Sequence, residues 1–565
     1  MSDQFHIILI KPARYGEDGY PVRWKLPFNS SSALSCLNGL ADNFRERRVL
    51  GETTDIFLHA FDESYEVVDI DGLLSKIDDN AKAFVGLVGV QSNQFPRATD
   101  LARLFLEHDI PVCIGGFHVS GCMAMLSQLP DDIKRAQDMG VSLFAGEAEL
   151  GRLDQVLKDA YAGKLKPVYN YLSDLPVIAN QPVPILPASK YDRFTTEKHE
   201  NYAAFDLGRG CPFECSFCSV INVHGRKTRF RNADDLEQII RPLYKAGIKK
   251  IFISDDNFAR NKNWENLFDR LIELREIEDI NFTIVLQVDM LSHKNPTFIE
   301  KAIKAGVHLL FVGLETINAD NLASMKKRQN NIENYRTMLL AWKKHSVIIM
   351  AGYIIGLPAD SKQSILRDIE TVKRELPVDF LTFTYLTPLP GSEDHKNMVE
   401  RREWMDPDMN KYDLTHRVTN HPKMSDKEWE DVYEQAWEQY YTPEHMLTIL
   451  KRAAALGSNM KLTTASLFLI YKYNYRYFAI HTYDGGLARI RNRHERRPGL
   501  PRESFVRFHY KNQKERLIAR IGLSYNYFRL SRMALGLWSD PGRFAYKDRA
   551  ITSTPHGPQD EGGLT

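Results

Sequence analysis

Cysteine is scarce in this chain, which has six in 565 residues. At that density, and with neither a basic nor an apolar leader pattern in Met1-Ser2-Asp3-Gln4, a secreted disulfide framework is excluded. No stretch of 18 uncharged apolar residues occurs, so we expect no membrane-spanning helix. These absences predict a cytoplasmic protein, in a compartment where thiols stay reduced.

Net charge is also low, at +1, but it is distributed unevenly. Sixteen Lys/Arg face only five Asp/Glu between Arg489 and Arg549, and aromatic residues alternate with the arginines there. Such a segment most often forms an ordinary protein surface with its charged side chains in water. The mixture also suits a membrane surface or a nucleic-acid surface, and we favour peripheral association with a membrane surface.

The pattern of apolar residues predicts an α/β fold with several domains. We expect a Rossmann-like α/β domain at 1–165, a proline-rich linker at 166–200 and a partial (β/α)6 barrel of the TIM type at 201–400. A helical C-terminal domain at 401–484 and a basic aromatic tail with a disordered end at 485–565 follow. The six predicted barrel strands are Ala203–Leu207, Lys250–Ser254, Thr283–Val288, His308–Gly313, Val347–Ile355 and Phe380–Leu386.

Three of the six cysteines lie within eight residues, as Cys211, Cys215 and Cys218, with the spacing Cys-x3-Cys-x2-Cys. Zinc sites favour paired cysteines, but no second pair is present and His224 is poorly spaced to complete one. A 4Fe–4S cluster is usually held by four cysteines, so three would leave one iron open to another ligand. The trio therefore predicts a cluster with one open iron.

Polar or glycine-rich segments also follow the predicted barrel strands. Each one alone is typical of a turn, but the carboxyl ends of barrel strands open on one face, where barrel enzymes carry their chemistry. Together with the cysteines they predict a site on that face. The segments are Ser254–Asn257, Gln287 with Asp289, Gly313–Thr316, Gly356–Pro358 and Pro388–Gly391.

Over residues 200–400 the chain resembles the radical S-adenosylmethionine (SAM) superfamily, including the aromatic Phe217 before the last cysteine. The resemblance implies that Cys211, Cys215 and Cys218 ligate three irons and that the open iron binds SAM. One electron, from a flavodoxin- or ferredoxin-like donor, would then cleave SAM to methionine and a 5′-deoxyadenosyl radical. The SAM-binding residues it implies are Phe217, Ser254, Asp255, Asp256, Asn257, Gln287, Glu315 and Gly356.

The preceding α/β domain looks like the cobalamin-binding module of one radical SAM subfamily. An Asp-x-His-x-x-Gly motif is absent from Lys11–Ser32, so this likeness rests on domain order and on small residues that let the backbone approach a cofactor. The alternative is a domain that only packs against the barrel. The cobalamin contacts that the resemblance implies are Ser92, Asn93, Gly115, Gly116, His118, Gly146 and Glu147.

The resemblance implies methyl transfer to, or oxidation or cyclisation at, an unactivated carbon of a small molecule, and we expect a hydrophobic or lipid-like one. A radical SAM enzyme without cobalamin and a non-catalytic cluster- or corrinoid-binding sensor stay open as alternatives. Members of the superfamily that modify tRNA add a cysteine-bearing domain and a small RNA-binding barrel. Neither pattern is visible here, so nucleic acid is not an expected partner.

Overall fold

A computed structural model describes residues 3–78, 80–195, 201–467, 474–478, 480 and 484–552. The first α/β unit is a parallel sheet of six strands in the order β3-β1-β4-β5-β6-β7. Its central strands are continuous apolar runs that helices cover on both faces. Its elements, with one short strand outside the sheet, are β1 (Asp3–Lys11), β2 (Trp24–Pro27), α1 (Ser32–Glu46), β3 (Thr54–Asp62), α2 (Ile70–Leu74), β4 (Lys82–Leu87), α3 (Phe95–Leu106), β5 (Val112–Gly115), α4 (Phe117–Met125), α5 (Asp131–Asp138), β6 (Ser142–Ala145), α6 (Arg152–Tyr161) and β7 (Val168–Asn170).

Two strands of this sheet lie outside the sequence prediction. The edge strand β3 was not expected, and β7 lies in the segment predicted as a linker. Because β7 pairs with β6, the first sheet extends past residue 165.

The second unit is also a six-stranded parallel sheet, in the sequential order β8-β11-β12-β13-β14-β15. This confirms the predicted α/β fold with six strand–helix units. Its elements, with a two-stranded antiparallel ribbon of β9 and β10, are β8 (Ala203–Phe205), β9 (Gly208–Arg209), α7 (Val220–Val223), β10 (Arg229–Phe230), α8 (Ala233–Lys245), β11 (Lys250–Ile253), α9 (Trp264–Glu278), β12 (Thr283–Val288), α10 (Pro296–Ala305), β13 (Val307–Glu315), α11 (Ala319–Ser324), α12 (Tyr335–Lys343), β14 (Ile348–Ile355), α13 (Lys362–Glu375), β15 (Phe380–Tyr385) and α14 (Glu393–Arg401).

Local signals placed several helices correctly. Asn232 caps α8 in a capping box with Asp235, and Gly247 follows the helix with a positive φ of 85°. Ser425 and Glu428 form the predicted capping box of the helix that follows the barrel. The helical C-terminal region is made of α15 (Asp426–Tyr440), α16 (Pro443–Ala455), α17 (Met460–Leu467) and α18 (Arg476–Phe478).

Aromatic side chains of α15 protect the edge strand β15. The hydroxyls of Tyr433 and Tyr441 donate to the carbonyls of Phe383 and Leu381, at 3.2 and 3.0 Å. An unpaired edge strand would expose those acceptors to another chain. The helical region therefore closes the open side of the partial barrel.

The basic segment folds back onto the first domain. It contains β16 (Gly486–Arg489), which pairs antiparallel with β2, and the 35-residue helix α19 (Phe505–Ser539). The predicted disordered end covers residues 552–565, and all of it except Thr552 lies outside the described residues. Among the described helices, none is both long and apolar enough to cross a bilayer.

Candidate functional site

The cysteine loop lies between the ribbon strand β9 and the short helix α7, and backbone contacts hold it in place. The amide of Gly210 donates to Asp256 Oδ2 at 2.7 Å, and His224 Nδ1 lies 3.0 Å from the same oxygen. The amide of Ser216 donates to the Met325 carbonyl at 3.0 Å. Contacts from strand ends and flanking segments thus hold the loop in position.

The three thiols lie in a loop that is largely shielded from solvent. Cys215 is buried, whereas Cys211 and Cys218 are half-buried. Burial raises the pKa of Cys211 and raises that of Cys218 to about 12. Iron would bind the thiolates and so release protons. Within the described residues, no three His, Cys, Asp or Glu side chains converge on a single metal ion; in a cluster, each cysteine would bind its own iron.

Buried amides with unused acceptors surround this loop. Gln329 Nε2 donates to Cys215 Sγ at 3.3 Å. The side-chain carbonyl oxygens of Asn257, beside Cys211, and of Gln329 are buried and have no hydrogen-bond partner among the described residues. Buried acceptors are normally satisfied, so these two oxygens fit a site that receives donors from a polar ligand. The donor set therefore fits a cluster with SAM beside it.

A lysine links the loop to the end of β13. Lys327 Nζ lies 2.5 Å from Glu315 Oε1 and 5.5 Å from the centroid of the Phe217 ring. Burial acts to lower the pKa of Lys327, but the Glu315 carboxylate together with Cys215 and Cys218 raises it overall. The ammonium would therefore place a positive charge beside the thiolates of a bound cluster.

An inner cavity of about 270 Å³ begins at the carboxyl ends of the first sheet and extends beneath its strands. Gly116 has a φ of 146°, and a Cβ there would lie 2.1 Å from the Val90 nitrogen. Gly89 is similarly close, since its Cβ would lie 2.6 Å from the Ala33 Cβ. Only glycine permits these close approaches between the strand-end loops, which form a glycine cradle at the mouth of the cavity. The cavity itself has room for the tail of a large cofactor.

A second cavity, the lumen cavity, measures about 550 Å³ and lies inside the curve of the barrel sheet. Half-buried side chains alternate with buried ones along β12, and the half-buried ones face this space. The barrel residues in its wall include Phe252, Val285, Gln287, Leu309, Phe311 and Met350. Five residues line both cavities, so the two spaces meet between the domains: Ser32, Ala33, Gly89, Phe117 and Ser254.

A buried guanidinium joins the domains beside the inner cavity. Arg209 pairs with Glu147 and Glu149 of the first domain, each at 2.7 Å, and with Asp206 at 2.9 Å. Arg229 adds a second contact to Glu147 at 2.6 Å. The ion-pair network holds the cysteine loop against the first domain, because Arg209 lies two residues before Cys211.

Of the eight residues predicted to bind SAM, three line a cavity, and three others, Phe217, Asn257 and Glu315, lie at the cysteine loop or at Lys327 beside it. Ser254 lines both cavities, Asp256 lines the inner cavity and Gln287 lines the lumen cavity. Asp255 points away: its carboxylate accepts from the Leu207 amide at 2.7 Å, and burial raises its pKa to about 7. Gly356 also lies outside the described cavities, packed under Trp429, where a Cβ would lie 2.1 Å from the indole.

The predicted cobalamin contacts separate into two groups. Gly115, Gly116, Gly146 and Glu147 line the inner cavity. Ser92, Asn93 and His118 are buried and line neither cavity. His118 has both ring nitrogens engaged, with Ser92 Oγ at 3.0 Å and Asp132 Oδ2 at 2.9 Å. In this arrangement it offers no nitrogen to a ligand.

Sequence reasoning missed Arg209, Lys327, Gln329 and Asn330. The last three belong to the polar run Lys326–Asn331, which lies between α11 and α12, and its polar composition is the signal that could have found them. Arg209 carried no such signal, because its acidic partners Glu147 and Glu149 are about sixty residues away in the chain.

Comparison with known proteins agrees with this geometry. Residues 206–372 match the family model of the radical SAM superfamily. Bacteriochlorophyllide d C-12(1)-methyltransferase of Chlorobaculum tepidum is 27% identical over 290 residues, which cover 50% of this chain and 60% of that protein. Hopanoid C-2 methylase of Rhodopseudomonas palustris is 24% identical over 336 residues, 58% of this chain and 59% of that protein. The chain thus spans about three-fifths of the length of these relatives.

Among solved structures, the cobalamin-dependent SAM radical enzyme OxsB with aqua-cobalamin and SAM bound superposes with a TM-score of 0.55. The match covers 96% of this chain and 81% of that one at 14% identity, and it establishes likeness of fold. A radical SAM domain uses SAM and a 4Fe–4S cluster, which confirms those two predicted cofactors at the level of the family. Residues 206–372 therefore match a radical SAM domain, and the chain, including the α/β domain that precedes those residues, has a fold similar to that of OxsB.

Proposed function

We propose that this chain is a cobalamin-dependent radical SAM methyltransferase that acts on an unactivated carbon of a hydrophobic, lipid-like small molecule. One observation carries the proposal: the glycine cradle and the apolar barrel lumen meet between the domains, and Ser254, two residues before the aspartate that fixes the cysteine loop, stands in the wall of both cavities. A cofactor over the first sheet and a substrate in the lumen would thus face each other across the strand ends.

When bound, the cluster supplies the electron that cleaves SAM to a hydrogen-abstracting radical, and cobalamin supplies a transferable methyl group. Cys211, Cys215 and Cys218 would hold the cluster, and Asn257 and Gln329 would accept hydrogen bonds from SAM. Asp256 holds the cysteine loop at Gly210 and His224.

The lumen cavity supports a hydrophobic substrate. Its barrel wall is mainly aromatic and aliphatic, whereas charged side chains gather at the end near the first domain. That charged end includes Lys11, Asp62 and Asp484, and burial lowers the pKa of Lys11 to about 8. The arrangement suits a substrate with an apolar body and a polar end, and an apolar wall keeps water away from a reactive radical.

The curated relatives support the same choice, since one is a methylase of hopanoids and another of bacteriochlorophyllides. We propose that a flavodoxin- or ferredoxin-like donor supplies the electron. We also propose that the chain works at a membrane surface, where a lipid-like substrate collects.

The test is anaerobic reconstitution with iron and sulfide, followed by SAM and a reductant. We expect four irons per chain as for a 4Fe–4S cluster, and production of 5′-deoxyadenosine. Cys215→Ala should lose both, whereas the matched variant Cys113→Ala, at a buried cysteine of the first domain, should keep both. SAM cleavage that survives in Cys215→Ala would refute the assignment.

Cobalamin and methyl transfer need separate measurements. The protein is produced with cobalamin supplied, and the bound corrinoid is read from its visible spectrum. A corrinoid-free protein that still cleaves SAM would favour the radical SAM enzyme without cobalamin. SAM with a deuterated methyl group is then incubated with an organic extract of cells, and label in an apolar product would identify the substrate class.

A further inference from the structure

Helix α19 exposes an apolar stripe along its whole length. Spacings of four and seven residues place the side chains of the stripe on one face of a helix about 50 Å long. Each is between 55% and 75% exposed: Val506, Tyr510, Leu517, Ile521, Phe528 and Leu535. The opposite face is buried against the protein, through residues that include Phe508, Ala519 and Leu530.

Positive charge flanks this stripe. Helix α19 carries seven Lys/Arg and a single acidic residue, Glu515, which pairs with Arg491 at 2.7 Å. Six of the seven basic side chains are exposed: Arg507, Lys511, Lys514, Arg520, Arg529 and Arg532. The exposed surface therefore combines apolar and cationic side chains with almost no compensating negative charge.

A second copy of the chain fits this surface poorly. Lys514, Ser524 and Ser531 interrupt the seven-residue repeat at positions that a coiled coil would fill with apolar side chains. Arg520 and Arg532 flank the seam, so two copies would bring like charges together. Exposed Ile518 and Tyr525 also widen the face beyond a coiled-coil seam.

An anionic bilayer satisfies both parts of the surface. Apolar and aromatic side chains can enter the boundary between headgroups and acyl chains, while long basic side chains reach the lipid phosphates. A nucleic acid would pair with the charges but leave the aliphatic residues Leu517, Ile521 and Leu535 against water.

We propose that this face of α19 is a membrane-binding surface for bilayers that contain anionic lipid. The proposal identifies the part of the chain that would contact the membrane. It rests on the proposed function only in assuming that the protein works at a membrane surface. Arg516 Nη2 donates to the Arg489 carbonyl of β16 at 3.3 Å. The residues before β16, Asp484 and Gly485, line the lumen cavity, so the helix is bonded to an element of the cavity wall.

The test is co-sedimentation of the full chain with vesicles of phosphatidylcholine alone or mixed with phosphatidylglycerol. We expect binding to the anionic vesicles that weakens as salt is raised, because basic side chains near a charged surface are screened. The double variant Ile521→Glu/Phe528→Glu should lower the binding at least tenfold. Ile277→Glu is the matched control, since Ile277 on α9 is 75% exposed and lies outside this surface.

Several outcomes would overturn the proposal. They are unchanged binding of the double variant, equal binding to both kinds of vesicle, binding of a duplex DNA probe but not of vesicles, and a wild-type dimer in sedimentation velocity that the double variant dissociates. Circular dichroism checks that the variant is folded. Its production of 5′-deoxyadenosine should match the wild type, so a failure of membrane binding is distinguished from a failure of the radical SAM assignment.

Discussion

The two parallel sheets of this molecule have the same number of strands, but their faces differ in how far they are buried. In the first sheet the central strand β1 is buried along six consecutive residues, because helices cover both sides. In the barrel sheet β12 alternates buried with half-buried residues, because its inner face borders the lumen cavity. A sheet covered on both faces offers a ligand chiefly its strand ends, whereas a curved sheet also offers its interior.

This difference assigns separate tasks to the two units. The first presents a glycine cradle at its strand ends, and the second presents an apolar chamber with the cysteine loop at its rim. Arg209 joins them through buried carboxylates. The comparison predicts that a substitution within one unit impairs that unit alone. A substitution in the ion pairs of Arg209 with Glu147 and Glu149, which form the joint between the units, should affect both.

The largest effect is expected for Gly116→Ala, which forces apart the two strand-end loops that form the cradle. A Cβ would lie 2.1 Å from the Val90 nitrogen, and the positive φ of 146° disfavours a side chain. We expect cobalamin content to fall more than tenfold while iron content and SAM cleavage stay near wild type. The control is Gly140→Ala, which also has a positive φ but meets no atom within 4 Å. Loss of iron as well as cobalamin would show that the units are not independent.

Removing the joint should reduce the free energy of unfolding. Arg209→Met leaves Glu149 buried without its cation, and breaking a buried pair in this way costs about 3–5 kcal/mol. Chemical denaturation at neutral pH measures the loss. Arg226→Met, which removes an exposed ion pair to Glu214, is the control and should change the stability by less than about 1 kcal/mol. Equal effects would show that the buried network is not the joint.

The same variant has a predicted pH dependence. Burial would raise the pKa of Glu149, but Arg209 outweighs it and lowers that pKa to about 2, from the ordinary value of 4.5. The wild-type pair therefore stabilises the fold fully above pH 4.5 and loses this contribution as the pH falls toward 2. In Arg209→Met, burial alone raises the pKa, so the destabilisation should shrink as the pH falls from 7 toward 4.5. A constant difference between the two proteins would contradict this.

A smaller effect on the free energy of unfolding should distinguish the first sheet, which is buried on both faces, from the barrel sheet, which has one face toward the lumen cavity. Ile7→Ala and Ile8→Ala, on opposite faces of β1, should each cost about 2–5 kcal/mol, because both side chains are fully buried. On β14, Ile349→Ala should cost as much, whereas Met350→Ala, at a half-buried position in the lumen wall, should cost less than half of that. Equal costs on β14 would mean that the lumen is packed like a core.

Local patterns in the sequence were enough for much of the fold. Six barrel strands were predicted, and capping residues in the sequence mark the starts of α8 and α15, because apolar periodicity and caps depend on neighbouring residues. The strands β3 and β7 were not, since edge strands mix polar and apolar residues and only their pairing with β1 and β6 reveals them.

The sequence by itself determined the class of chemistry, because three cysteines within eight residues need no distant partner to be recognised. Only the tertiary structure decided which strand-end residues face a cavity: Ser254 does, whereas Asp255 turns into the backbone and His118 is fully engaged by Ser92 and Asp132. It also decided that Arg209 joins the domains and that α19 presents one face outward. Packing between elements far apart in the chain fixes such contacts, and no short pattern of residues encodes them.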